Sequence, residues 1–126
     1  MPTASAFDYA IVRVVPFVER EEYINVGVIL FCPEQRFLGA RIELDAGRLA
    51  ALSPRCDAHQ IRAQLELIPE ISEGAGPIGQ LSLSERFHWL VSPRSTAIQV
   101  SPVHSGLCTN PAAMLEHLME TMVRAR

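Results

Sequence analysis

The chain has 126 residues, 48% of them apolar and 20% charged, and 11 basic against 14 acidic side chains give it a net charge of −3. These values fit one compact globular domain, and they exclude a collagen, a coiled coil, a disordered chain and a disulfide scaffold. All 11 basic residues are arginine. Functions that need a lysine amine, such as a P-loop or a Schiff base, are therefore excluded.

Charge, hydropathy and cysteine content limit the environment of the chain. The net negative charge argues against binding to nucleic acid, which needs a basic face. The longest apolar run, Val26–Cys32, is far shorter than the roughly 20 residues of a membrane-spanning helix, and Met1–Asp8 has no signal-peptide pattern. Three widely spaced cysteines indicate reduced thiols. We therefore expect a cytoplasmic bacterial protein that contacts no membrane and needs no cofactor or metal.

Three strands are predicted in the first third of the chain. Tyr9–Val18 is apolar on both faces except for Arg13, which is typical of a central strand buried on both sides. Ile24–Cys32 follows a charged turn and is again mostly apolar, and Phe37–Leu44 alternates apolar with polar side chains. Because the connections are short, these strands are predicted to form an antiparallel meander.

Four helices are predicted after the meander, each from a capping pattern at its N-terminus. The caps are Asp45, Asp57 with Gln60, Ser82 with Glu85, and Asn110 before Pro111. Between the helices, Glu73–Gln80 is predicted to be a loop and Thr96–Val100 a fourth strand. The predicted fold class is therefore α+β: a single domain with an antiparallel sheet of about four strands, the meander plus one late strand, covered by helices.

Two spacings imitate functional motifs, and each has a simpler explanation. Gly74, Gly76 and Gly79 have the spacing of a dinucleotide-binding loop. They follow a helix instead of a strand, so a flexible loop is favoured. His104 and Cys108 have a spacing that suits a metal, but no second close pair of ligands accompanies them, so no metal site is predicted.

Polar residues inside or beside the predicted strands are the most informative ones. Arg13 lies mid-strand between valines, and a buried guanidinium needs a carboxylate, carbonyls or an anionic ligand. If they share one sheet face, six residues would form a pocket for a phosphate or a carboxylate. They are Arg13, Arg41, Arg94, Ser95, Gln99 and His104. No catalytic residue is assigned, and His104 is the one weak candidate for a general acid or base.

The alternative to this pocket is a set of unrelated arginines that lie on the surface or form ion pairs. For Arg13, the internal partners available in the sequence are Glu19, Glu43 and Asp45. Which arginines meet in space decides between the two interpretations.

A surplus of apolar surface is also predicted. The sheet is apolar on both faces, and the last helix carries two methionines, Met119 and Met122, on its apolar face. One small domain offers few elements to cover so much apolar surface. Trp89, Met119 and Met122 are therefore candidate contacts for a protein partner or for a second copy in a homodimer.

Several segments together resemble a bacterial family, the domain of unknown function 3037. They are Phe7–Val18, Glu19–Leu30, Ser84–Trp89, Ser92–Thr96 and Ser101–Gly106. The resemblance spans nearly the whole chain but implies no established activity, so it assigns no catalytic residue. Relatives are often encoded beside a kinase-like protein of the HipA toxin type, which implies a protein partner.

The sequence supports two main hypotheses about function. The first, which we favour because no catalytic constellation is recognised, is a regulatory or protein–protein interaction module, with a HipA-like kinase as partner in a toxin–antitoxin-like pair. The second is an enzyme or sensor that binds a phosphorylated or other anionic ligand through the arginine and histidine pocket. Binding of nucleic acid through the same arginines is a third possibility, which the acidic balance disfavours.

Overall fold

The structure, a computed structural model, describes residues 3–93 and 96–124. Five strands and six α-helices are found in these ranges. In chain order they are β1 (Ser5–Val14), β2 (Ile24–Cys32), β3 (Phe37–Ile42), α1 (Ala46–Leu52), α2 (Ala58–Leu65), α3 (Leu67–Ser72), α4 (Gly76–Gly79), α5 (Leu83–Leu90), β4 (Ile98–Val100), β5 (His104–Cys108) and α6 (Pro111–Leu118). A π-helical turn over Met119–Val123 continues α6.

The strands form one open antiparallel sheet in the order β3-β2-β1-β4. The other edge of β1 is shared by two strands, since β5 pairs with residues 5–9 and β4 pairs with residues 12–14. This arrangement makes β1 the central strand, as its apolar sequence predicts. The prediction of an α+β fold with helices on an antiparallel sheet is confirmed.

A β-bulge in β2 decides which side chains accompany Arg13. Val12 lies opposite Gly27 and Arg13 lies opposite Asn25, so Val26 is the extra residue. The glycine is also required by the next strand, because a Cβ at position 27 would lie 2.5 Å from the carbonyl oxygen of Arg41. The bulge allows Val26 to join the core while Asn25 stays beside Arg13.

Each face of the sheet buries its own apolar cluster. The larger cluster lies under α1, α2, α3 and α5, and its buried members are Val12, Val14, Ile24, Val26, Ile29, Phe31, Leu49, Ile61, Leu65, Ile68, Phe87, Leu90 and Ile98. The smaller cluster lies under α6 and the π-helical turn, and its buried members are Phe7, Val28, Leu30, Cys32, Cys108, Leu115, Leu118, Met119 and Val123. We call these two sides of the sheet the α5 face and the α6 face.

The predicted helix caps are confirmed. The side chains of Asp45, Asp57, Ser82 and Asn110 each accept a hydrogen bond from a backbone N–H in the first turn of α1, α2, α5 and α6. Such a cap stabilises a helix by about 1 kcal/mol because it satisfies an N–H that has no partner within the helix.

Several predicted boundaries differ from the structure. The first strand is Ser5–Val14 and not Tyr9–Val18, because the chain turns into a 3-10 helix at Val18. The third strand ends at Ile42, two residues before the predicted end. A short helix, α4, lies within the predicted loop, and β5 was not predicted at all. Strand β5 contains serine and glycine, so its sequence lacks the usual strand signal, and its pairing with β1 supplies the stability.

Candidate functional site

Four of the six predicted pocket residues lie on one face of the sheet. Phe7 and Tyr9 belong to the α6 face, and the alternation of side chains along β1 places Arg13 there too. Gln99 lies opposite Arg13, and His104 lies opposite Tyr9. On β3, Phe37 packs in the same cluster, so Arg41 shares this face. Arg94 and Ser95 lie outside the described residues.

These four residues do not converge on one point. Arg41 forms an ion pair with Glu116 of α6, the helix that packs over β2 and β3. His104 stacks beside Tyr9 with ring centroids 5.4 Å apart. Because Tyr9 precedes Arg13 by four strand residues, His104 lies roughly 13 Å along the sheet from the Arg13–Gln99 pair. Among the described residues, the structure therefore brings only Arg13 and Gln99 of the predicted set together.

Arg13 and Gln99 line an open cavity of about 380 Å³ at one end of the α6 face. The guanidinium carbon of Arg13 lies 4.2 Å from the centroid of the Tyr23 ring, which is a cation–π contact. The cavity is lined by Arg13, Val15, Val18, Glu21, Tyr23 and Gln99. We call it the Arg13 cavity.

None of the three carboxylates expected as internal partners of Arg13 pairs with it. Glu43 pairs with Arg124, and Asp45 caps α1. Glu19 forms no ion pair within the described ranges, and neither does Arg13. Arg13 is therefore held by an aromatic ring and its strand neighbours.

A charge network on the C-terminal segment explains the position of Arg41. Arg124 lies 2.8 Å from Glu43 and 2.6 Å from Glu116, and its contact with Glu120 is 3.5 Å. Glu116 thus accepts both Arg41 and Arg124. Exposed pairs are individually weak, but a network of several charges holds a segment more firmly. These contacts hold Arg124 and α6 against β3 and the residues that follow it.

Two hydrogen bonds to backbone carbonyls also hold the π-helical turn. Asn25 donates its Nδ2–H to the carbonyl of Met122 at 3.0 Å, and Arg48 donates to the carbonyl of Val123 at 3.0 Å. Carbonyls at the end of a helix have no partner within it, so side-chain donors stabilise the terminus. The turn is therefore part of the folded body of the chain.

The three predicted interface residues have different environments. Met119 is 0% exposed and packs in the core of the α6 face, so in this structure it presents no surface to a partner. Met122 is 39% exposed. Trp89 is 42% exposed and lies on the outer side of α5, far from the other two. Burial of Met119 follows from the helical spacing, since it continues the stripe of Leu115 and Leu118.

An apolar groove that the sequence did not indicate runs between α3, α4 and α5. It consists of two adjoining cavities of about 200 and 250 Å³, which share Leu67 and Ile71. The lining residues are Gln64, Leu67, Ile68, Ile71, Trp89, Thr96 and Ile98 in the first, and Leu67, Glu70, Ile71, Ala75, Gly76, Pro77 and Ile78 in the second. We call it the Leu67 groove. Leu67 itself is 53% exposed.

Acidic residues lie along α3, beside the Leu67 groove, and one of them, Glu70, lines it. Glu66, Glu70 and Glu73 follow one another along α3 and its two ends, and all three are exposed. None of them forms an ion pair with a described residue. The nearby Arg86 donates to the carbonyls of Ser72 and Leu81 and is thereby occupied. The groove thus combines apolar walls with negative charge.

The pattern that could have revealed the groove is present in the sequence. The stripe of Ile61, Leu65 and Ile68 accounts for the buried side of α2 and α3. Leu67 lies outside this stripe and is exposed, whereas Ile71, three residues after Ile68, packs partly against the core. An apolar residue beyond the buried stripe of a helix indicates a second apolar surface.

Metal and thiol chemistry receive no support from the described residues. None of the groups of histidine, cysteine, aspartate and glutamate within residues 3–93 and 96–124 has the three members that would hold a metal ion. Burial raises the pKa of the Cys108 thiol, and the neighbouring Cys32 raises it further. A thiol whose pKa is raised carries less thiolate and is a weaker nucleophile. Across the same ranges, no helix has the length and hydropathy needed to cross a membrane.

Comparison with known proteins assigns the family. A family described as a protein of unknown function, DUF3037, matches residues 9–123. The chain belongs to the DUF3037 family. Both the Leu67 groove and the Arg13 cavity lie inside the segment that matches DUF3037. No curated protein and no solved structure matches the chain.

Proposed function

We propose that the chain is a protein–protein interaction module that binds a segment of a partner protein in the Leu67 groove. The observation that carries this proposal is the exposure of Leu67 and Trp89, at 53% and 42%, beside two apolar cavities that share Leu67 and Ile71 in their lining. Concave apolar surface of this kind is typical of binding sites, and tryptophan is enriched among the residues that dominate binding energy.

The acidic residues of α3 indicate the charge of the partner segment. Glu70 lines the groove, and Glu66 and Glu73 lie at the two ends of α3, so the complementary segment carries apolar anchors together with arginine or lysine. An amphipathic helix of the partner meets this description, because its apolar stripe fits a groove while its flanks carry charge. Charge complementarity of this type raises the association rate and excludes acidic competitors.

A second copy of the chain fits the groove less well. In a two-fold symmetric dimer the same patch lies on both sides of the interface. The acidic residues of both copies, Glu66, Glu70 and Glu73, would then lie in one interface without basic partners from α3, and like charges across an interface are unfavourable. We therefore favour a different protein over a homodimer at this surface.

A HipA-like kinase is the partner that we test first. Genes for such kinases often lie beside genes for relatives of the chain. This association supports the choice of partner and nothing more. A small module on such a kinase would act by regulation, as in a toxin–antitoxin-like pair. A cytoplasmic location of the chain is part of this proposal. It fits a kinase partner, because a kinase uses nucleotide from inside the cell.

The competing hypothesis is an enzyme or sensor that binds a phosphorylated or other anionic ligand through a pocket of several arginines and His104. Arg41 is paired with Glu116 of α6 and does not line the Arg13 cavity. His104 stacks on Tyr9 and does not line the Arg13 cavity. The interaction function therefore has the stronger geometric support.

We expect the chain to bind a HipA-like kinase of the same genome, and substitutions in the groove to weaken that binding. Leu67→Ser and Trp89→Ala should each raise Kd by at least about tenfold, since each removes an anchor from a desolvated contact. Isothermal titration calorimetry with purified proteins measures the effect.

The matched control is Leu107→Ser, because Leu107 is 68% exposed and lies on β5, away from the groove. This variant should bind like the wild type, and thermal unfolding should show that all variants are folded. Equal losses for Leu107→Ser and Leu67→Ser would contradict the groove as the binding surface. Absence of any complex would contradict the kinase as the partner.

A further inference from the structure

We infer that the Arg13 cavity is a binding site for a carboxylate group, separate from the Leu67 groove. The inference starts from the guanidinium of Arg13, which has no carboxylate partner among the described residues. A half-buried arginine without such a partner is costly unless a ligand or solvent satisfies its donors.

The contact with Tyr23 leaves N–H donors of Arg13 free to bind a ligand. The ring covers one flat side of the guanidinium, with 4.2 Å from its carbon to the ring centroid. The N–H donors lie in the plane of the guanidinium, so they remain available at its edge. Two parallel N–H donors match the two oxygens of a carboxylate.

Two unsatisfied polar atoms belong to Arg13, which lines the cavity, and to Asn25, its neighbour on β2. Nε of Arg13 and Oδ1 of Asn25 are buried and have no hydrogen-bond partner, although the two residues are direct cross-strand neighbours. Asn25 uses its Nδ2 on Met122, which fixes the orientation of its amide. Buried polar atoms without partners are rare in stable folds and concentrate at functional sites. The unpartnered Nε of Arg13 and Oδ1 of Asn25 therefore favour a functional role for this position on the α6 face.

The apolar walls of the cavity indicate which group is attached to the carboxylate. Val15 and Val18 are apolar, and the Tyr23 ring is 46% exposed. A volume of about 380 Å³ lies within the range of small-molecule sites. A carboxylate attached to a short apolar group fits this lining.

The charges favour a carboxylate over a phosphate. Arg13 is the only cation in the described lining, and Glu21 is present in the same lining. A phosphate dianion would meet one positive and one negative side chain, whereas phosphate sites typically combine several donors or cations. A single negative charge is balanced by Arg13, and Glu21 selects against a second one.

The carboxylate has two possible sources, a small free acid and the C-terminus of a peptide. Isovalerate is the probe for the first, and N-acetyl-alanyl-leucine is the probe for the second. The matched neutral probes are isovaleramide and the amide of the same dipeptide. Each amide keeps the shape of its acid and lacks the negative charge.

Two-dimensional NMR of the ¹⁵N-labelled chain is the experiment. At least one acid should cause saturable shifts of the Tyr23 and Gln99 amide signals, and its amide should bind about tenfold more weakly or not at all. The tighter of the two acids identifies the source. Inorganic phosphate should cause no saturable shift at these positions.

Three variants separate ligand binding from structure. Arg13→Lys keeps the positive charge but loses the two parallel donors, so it should weaken binding of the acid about fivefold or more. Glu21→Gln lies on an exposed turn and should strengthen binding, since it removes a like charge. Arg62 is an exposed residue of α2, and Arg62→Lys should leave binding of the acid unchanged.

The proposal is overturned if neither acid shifts these signals at millimolar concentrations, or if acid and amide bind equally. Phosphate that binds more tightly than both acids overturns it as well. A loss of binding in Arg13→Lys without a gain in Glu21→Gln also contradicts it, because the assigned repulsion would be absent. None of these outcomes bears on the Leu67 groove.

Discussion

Met119→Ala is expected to destabilise the chain by about 3 kcal/mol, within the range measured for truncation of buried large side chains. Met119 is the first residue of the π-helical turn. It is fully buried and packs in the cluster of the α6 face. Its removal would leave a cavity at the point where the C-terminal segment is held on the sheet. Urea unfolding followed by circular dichroism measures the change.

Met122→Ala is the matched control for Met119. The two methionines lie three residues apart, and both were predicted as interface residues from the sequence. Met122 is 39% exposed, so its truncation should cost less than about 1 kcal/mol. Equal destabilisation by the two substitutions would contradict the placement of the π-helical turn.

Phe87→Ala, on the α5 face of the sheet, is expected to lower the free energy of unfolding by about 3–4 kcal/mol. Phe87 is buried on α5, and its ring lies 5.3 Å from the Phe31 ring of β2. This contact joins the helical layer to the sheet, and aromatic pairs contribute beyond their buried area. Chemical denaturation gives the free energy of unfolding.

Trp89→Ala tests which side of α5 faces the sheet. Trp89 lies two residues after Phe87 but on the outer side of the helix, lining the Leu67 groove. Its substitution should cost about half as much stability as Phe87→Ala, because a large part of the side chain is already in water. If Trp89→Ala were the more destabilising variant, the assignment of Trp89 to a binding surface would fail.

Local signals allowed much of the fold to be predicted from the sequence. Capping residues such as Asp57 and Asn110 act within a few residues, and their side chains make the expected hydrogen bonds. The core strand β2 was predicted with its exact bounds, Ile24–Cys32, because its apolar run is bordered by a charged turn and a proline. Strand β5 was missed because its pairing with β1 is decided by tertiary contacts.

The candidate sites were harder to predict, because they depend on which residues meet in space. The sequence singled out Arg13, since a charge within an apolar strand needs a reason. It could not show that Arg41 would pair with Glu116 of α6 and lie outside the Arg13 cavity. Nor could it show that Leu67 would remain on the surface while Ile68 next to it is buried.

The claim that the Leu67 groove binds a partner is tested most directly by hydrogen exchange of the chain with and without a saturating HipA-like kinase. We predict slower amide exchange in the complex for peptides that cover α3, α4 and α5, residues 67–90. Peptides that cover β5, residues 104–108, should exchange at the same rate in both states, since bound surfaces alone gain protection. Protection confined to β5 or to the π-helical turn, with no change at α3–α5, would contradict the account.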